Sequence, residues 1–198
     1  MATSRGIIEG LSRYSPWPKS DLRNRVRWLI QEGLLPRGKA GRGGAGAAQL
    51  EPVHIVCILL GLGVPEATAA PRFVDVLLNM KGINSDGNTI SLSDLLVLKL
   101  LRVRNRKLQD ADPFSIHRIL LIFNDLWPAA EVHLVSNLDE GSQTLYFSRD
   151  VPRVVGGVMQ IGGSWLFNRS LLIDGKLIHF LGNLMVIDGG DKEAGEDG

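Results

Sequence analysis

The sequence holds a single cysteine, Cys57, among 198 residues. One thiol excludes an intramolecular disulfide framework and any zinc site built from paired Cys-x-x-Cys motifs. Aromatic residues are scarce, at 6%, so the core must be made mainly of Leu, Ile and Val. No long apolar run is present. The longest, Val53 to Val64, has 12 residues, contains His54 and is interrupted by Gly61 and Gly63. A membrane-spanning helix needs about 20 apolar residues, so this run is expected to be a buried core helix. The start, Met1-Ala2-Thr3-Ser4-Arg5, is not followed by an apolar signal region, and the expected compartment is the cytoplasm.

What is present is enough for a folded chain. Hydrophobic residues make up 44% and charged residues 22%, a balance that supports a packed core. The net charge of +1 conceals a gradient. Residues 1–50 carry nine Lys/Arg against three acids, residues 51–110 are almost balanced, and residues 111–198 carry six bases against twelve acids. A basic first quarter suits a polyanionic partner, and the acidic Asp188–Gly198 tail is expected to be disordered. The chain accordingly divides into residues 1–64, a partner-binding or oligomerisation region over 65–187, and the tail 188–198.

Local signals order the elements. A first helix is expected from Ser4 to Tyr14 and is broken by Ser15-Pro16-Trp17-Pro18. Ser20 stands as an N-cap for a second helix from Asp21 to Glu32, which Gly33 terminates. Residues 37–48 form a basic, Gly-rich loop. Pro52 and Pro71 each open a helix, over 52–61 and 71–80. Gly82 to Asn88 is expected as a loop, and Ser91 with Asp94 as a capping box. Asp112-Pro113 predicts a further helix through Phe123. Alternation at Val132, Leu134, Leu145 and Phe147 around Asp139-Glu140-Gly141-Ser142 predicts a β-hairpin. A strand is expected within Val154–Ile161, Trp165–Ile173 is ambiguous, and Asp174 starts a last helix.

The second helix carries the chemistry. At 100° per residue, Leu22, Val26, Leu29 and Ile30 form one apolar face. Ser20, Arg23, Asn24, Arg27 and Gln31 fall on the opposite face, and all five can donate hydrogen bonds. Arg forks suit guanine edges and phosphates, and amide side chains suit adenine. Base contacts are therefore expected from Arg23, Asn24 and Arg27. Backbone contacts on DNA are expected from Arg13, Lys19, Arg25, Gln31, Arg37, Lys39 and Arg42.

The order of these features resembles the MerR-like winged helix-turn-helix. The residues that carry the resemblance are Leu22-Arg23 and Val26-Arg27-Trp28-Leu29-Ile30-Gln31-Glu32-Gly33-Leu34-Leu35-Pro36. The resemblance covers about a third of the chain. It implies that Arg23, Asn24 and Arg27 lie on a recognition helix. It also implies that Arg37, Lys39 and Arg42 lie on a wing, and that Val53, Ile55, Val56, Leu59 and Leu60 form a closing helix. The expected fold class is mainly α with a small β part: a winged helix-turn-helix, a helical middle and a small α+β end. The expected function is sequence-specific binding of double-stranded DNA by a dimer or larger homo-oligomer, for transcriptional regulation. Similar small domains open lambda-type phage terminase small subunits and recombination accessory proteins, a second use for the same domain. A third reading is a protein–protein adaptor working through residues 65–198.

Other sites are weak. His54, His117, His133 and His179 are dispersed, with no HxH or HxxxH pair, so no metal or other cofactor is expected and the chain does not read as an enzyme. Gly41 to Gly46 lacks the Gly-Lys-Ser/Thr ending of a phosphate loop. Cys57 is expected to be a small buried hydrophobe. The run Arg102–Lys107 reads as a cationic helix end, and Trp165 and Phe167 as core.

Overall fold

A computed structural model describes residues 3–13, 17–38, 48–64, 66–83, 87–104, 114–123, 129–137, 141–148, 153–155, 158–160 and 169–187. The expected wing residues Lys39 and Arg42, together with Trp165, Phe167 and the acidic tail, lie outside the described residues.

Three helices come first: α1 (Ser4–Leu11), α2 (Lys19–Gln31) and α3 (Pro52–Leu62). Thr3 caps α1, its hydroxyl accepting from the Gly6 N–H at 3.2 Å. An isolated bridge, Thr3 to Gln49, brings the chain back before α3. The start of α2 differs from expectation. Pro18 is its N-cap and makes no side-chain cap, so Ser20 lies inside the first turn. The end of α2 is as expected. Gly33 has a φ of 79°, its N–H reaches Ile30 O, and the Leu34 N–H reaches Leu29 O at 2.9 Å. This paired closure satisfies two carbonyls that the helix itself leaves open.

Helix α3 is the hub. Every residue from Ile55 to Leu62 is buried, which is why its sequence shows no polar face. His54 ties down the helix start: its Nδ1 accepts from the Glu51 backbone N–H at 3.0 Å. Val53, expected to join the closing core, is 36% exposed.

A short turn (Ala67–Ala69) leads into α4 (Ala70–Leu78). Strands β1 (Lys81–Ile83) and β2 (Thr89–Ser91) form a small hairpin around the expected Gly82–Asn88 loop, with Gly82 and Ile83 in the strand rather than the loop. Helix α5 (Leu92–Arg104) follows, with the Ser91 hydroxyl accepting from the Asp94 N–H as the capping pattern predicts. Then come β3 (Phe114–Phe123), β4 (Ala129–Ser136), β5 (Ser142–Ser148), the short pair β6 (Arg153–Val155) and β7 (Val158–Gln160), β8 (Arg169–Asp174) and α6 (Gly175–Ile187). Asp174 opens α6 as expected, its carboxylate accepting from the Lys176 N–H.

The expectation of a small β part is overturned. Among the described residues, six helices accompany an antiparallel six-stranded sheet in the order β2-β1-β5-β4-β3-β8. The misread element is β3, where a helix is expected. Its register slips between Ile116 and Arg118, leaving His117 as a bulge. Ile116 pairs with Leu134 and Ile119 pairs with Val132, so two residues three apart sit opposite two residues two apart. The bulge converts a period of two into a helix-like spacing. The predicted β4–β5 hairpin is present, with Val132 opposite Leu145.

One contiguous cluster of buried residues runs from Ile7 on α1 to Leu181 on α6. Two glycines permit close helix approach. A Cβ at Gly10 on α1 would lie 2.8 Å from the Phe180 ring on α6. One at Gly182 on α6 would lie 2.5 Å from Val103 on α5.

Gly33 gives a direct test of the α2 ending. Nothing lies within 4 Å of the position a Cβ would take there, so the penalty in Gly33→Ala is purely conformational. Urea unfolding should show a loss of about 1–2 kcal/mol, the usual cost of the left-handed region for a non-glycine residue. An unchanged midpoint would contradict the assigned closure.

Candidate nucleic-acid interface

Helix α2 is amphipathic in an unusual way, because its inner face holds a charge. Leu22, Val26 and Leu29 are buried as expected, and so is Arg25, which is 2% exposed. Arg25 lies three residues from Leu22 and four from Leu29, inside the apolar stripe. Its Nε donates to Asp21 Oδ2 at 2.7 Å. One terminal nitrogen donates to Gly61 O at 2.8 Å and also to Val64 O. Its guanidinium lies 4.3 Å from the centre of the Trp17 ring, and the Trp17 indole N–H donates to Leu62 O at 3.0 Å. The carbonyls of Gly61 and Leu62 lie in the last turn of α3, and that of Val64 follows just beyond its end. They are negative dipole ends that α3 leaves open, and a cation is the favoured partner there.

Arg25 is therefore corrected from a DNA-backbone contact to an internal anchor. It is buried and spent on carbonyls and a carboxylate. The sequence contained the signal, since Arg25 falls between two core leucines with Asp21 one turn before it. Counting it by charge alone hid its position on the helix.

The opposite side of α2 is open. Arg23, Asn24, Arg27 and Gln31 are all exposed, and so are Lys19 and Ser20 at its start. A 13-residue helix is about 20 Å long at 1.5 Å per residue, and these side chains occupy most of that length. Arg13 beyond α1 and Arg37 beyond α2 are exposed as well. The expected base-contact residues thus share one free helix face.

A cluster of three charges where α1 meets the start of α2 escaped the sequence reading. Arg5 on α1 reaches Glu9 at 3.1 Å, and Lys19 lies 3.9 Å from the same carboxylate. The Arg5 hydrogen bond and charge hold the Glu9 carboxyl below its ordinary range, with smaller help from Lys19 and Arg23. Glu9 is thus an acid set among three cations. The i, i+4 spacing of Arg5 and Glu9 was its only sequence signal.

On the flank of α2, Trp28, Glu32 and Leu34 face Thr68, Pro71, Arg72 and Asp75 across a half-open cleft of about 360 Å³. Among the described residues, no group of three or more His, Cys, Asp or Glu side chains is placed to hold a metal ion. None of the described helices is long and apolar enough to cross a membrane. No protein-family model, curated protein or solved structure matches the chain.

Two expected outcomes follow from this geometry. Replacing Arg25 by Ala strips the end of α3 of its donor and leaves carbonyls buried. Denaturant unfolding should show a loss of about 3–5 kcal/mol, the range for breaking a buried charged pair, whereas Arg23→Ala on the open face should stay within about 0.5 kcal/mol. Equal effects would contradict the inward placement of Arg25. Cys57 is buried on α3, and burial pushes its thiol up to about 11 from an ordinary value near 9. At pH 8 a thiol reagent should label it only on unfolding. Because folding favours the protonated thiol, that contribution is complete below about pH 9 and is lost as pH rises towards 11. The alkaline loss of stability should be smaller in Cys57→Ala, and equal losses would contradict the burial assigned to the thiol.

Proposed function

We propose that the chain binds double-stranded DNA sequence-specifically through the open face of α2 and serves in transcriptional regulation. The observation that carries this reading is the division of α2. One side is clamped to α3 through Arg25, and the other presents Arg23, Asn24, Arg27 and Gln31 to solvent. Rigid presentation matters because each base contact must keep its geometry without paying for ordering on binding. The major groove accepts an α-helix, and Arg forks and Asn amides match guanine and adenine edges there. Lys19, and Arg5 beside it, supply phosphate charge at the helix start, and Arg37 supplies it beyond the helix end. Glu9 tempers that charge at the start. The resemblance to MerR-like winged helices points the same way, with Arg25 now in a supporting role. A single such helix offers few base contacts, so paired half-sites read by an oligomer are expected.

The test is selection from random duplexes at two salt concentrations. One enriched motif is expected, with affinity falling as salt rises. Arg23→Ala or Arg27→Ala should cost about 1–3 kcal/mol and relax one position of the motif. Arg37→Ala should weaken binding to all sequences and lower the salt slope by about 1. Salt-sensitive binding without an enriched motif would replace a sequence reader with an architectural or packaging role. An absence of binding at low salt would overturn the reading.

A further inference from the structure

We infer that β8 is a homodimerisation edge, on which a second copy of this chain adds its own β8 antiparallel across a two-fold axis, with Leu172 facing Leu172 of the second copy. The sheet has two ends. At one, β2 is only three residues long and runs directly into α5, which blunts it as a template. At the other, β8 is six residues long, pairs with β3 along its length, and has no second neighbour among the described residues. Among the described residues, no strand pairs with its backbone on that side. The strand reads Arg-Ser-Leu-Leu-Ile-Asp, with charge confined to its two ends. Leu172 is 58% exposed, more than any other large hydrophobic side chain among the described residues. It stands in register with Leu120 on β3, whose partner on β4 is Glu131, so an outward apolar pair, Leu120 and Leu172, lies at this end of the sheet.

Symmetry fixes the occupant and the register. Two identical antiparallel strands in one sheet are related by a two-fold axis perpendicular to it, which keeps each side chain on its own face. Directly opposed residues must share a face, so only residues an even number apart can pair. Centring on Leu171 sets Ser170 against Leu172, and centring on Ile173 sets Leu172 against Asp174. Centring on Leu172 alone sets like against like: Leu172 on Leu172, Leu171 on Ile173, and Ser170 on Asp174. The two outward pairs then join into one apolar row of four, from Leu120 through both copies of Leu172 to the second Leu120, with Glu131 beyond each end. A self-complementary patch of this kind is the mark of an isologous interface. The dimer does not rest on DNA binding, and a dimeric chain that binds no duplex would leave it standing.

The test uses the full chain in solution. Light scattering at tens of micromolar should give twice the 21.6 kDa chain mass, and Leu172→Lys, which sets two ammonium groups together on the axis, should return it to 21.6 kDa. The native thiol, Cys57, is buried, so an introduced cysteine is selectively reactive. With a short bifunctional thiol linker, Leu172→Cys should give a covalent dimer, whereas Val135→Cys, also exposed but on β4, should not. Because both positions are at the surface, neither variant should unfold the chain. A native chain of 21.6 kDa, a dimer that survives Leu172→Lys, or equal cross-linking at both positions would overturn the inference.

Discussion

The structure depends on one arginine turned inward. Without Arg25, α2 would meet α3 through aliphatic side chains alone, and aliphatic contacts tolerate rotation of a helix about its axis. A guanidinium fixed to Asp21 on its own helix, to Gly61 and Val64 on the next, and stacked on Trp17 tolerates very little. Its cost is desolvation of a charge, which the carbonyl dipoles at the end of α3 offset because they too would be buried without a donor. The same contact therefore closes one helix and orients another. The outer face of α2 inherits that rigidity.

Around this joint the chain builds in two layers. The all-round apolar surface of α3 takes α2, α4 and α5 against it, and the sheet meets the helical layer through residues such as Ile119, Val132 and Phe147. Lys99, buried on α5, donates to Phe114 O at the start of β3 and joins helix to sheet by a second inward cation. Both inward cations answer carbonyls at the end or start of an element, where backbone groups lack regular partners. The N-terminal helices and the C-terminal strands and helix thus share one core.

Much of the helical part was legible because its signals are local. The Gly33 ending, the Ser91 cap, the Pro52 start and the apolar run of α3 are each decided within a few residues. The β4–β5 hairpin was legible from its alternation. The sheet as a whole was not. β3 is flanked on both sides and carries a bulge at His117, so its apolar residues follow neither clean alternation nor isolation by turns. β1 and β2 are three residues each, too short to show a period. At the candidate interface, the open face was legible from helical spacing, since Arg23, Asn24, Arg27 and Gln31 need only the 100° rule. For Arg25 the inward position was legible from its place between Leu22 and Leu29, but its partners were not, because they are carbonyls 36 and 39 residues away and backbone carbonyls leave no mark in a sequence.

The division of α2 into a locked side and a reading side is most directly tested by following the arginine Nε–H resonances of the chain in solution while duplex DNA carrying its selected motif is added. Arg25 should show a slowly exchanging Nε–H that the duplex leaves in place, while Arg23 and Arg27 should exchange quickly in the free chain and shift on binding. A rapidly exchanging Arg25 signal that moves with DNA, alongside unmoved Arg23 and Arg27, would contradict the account.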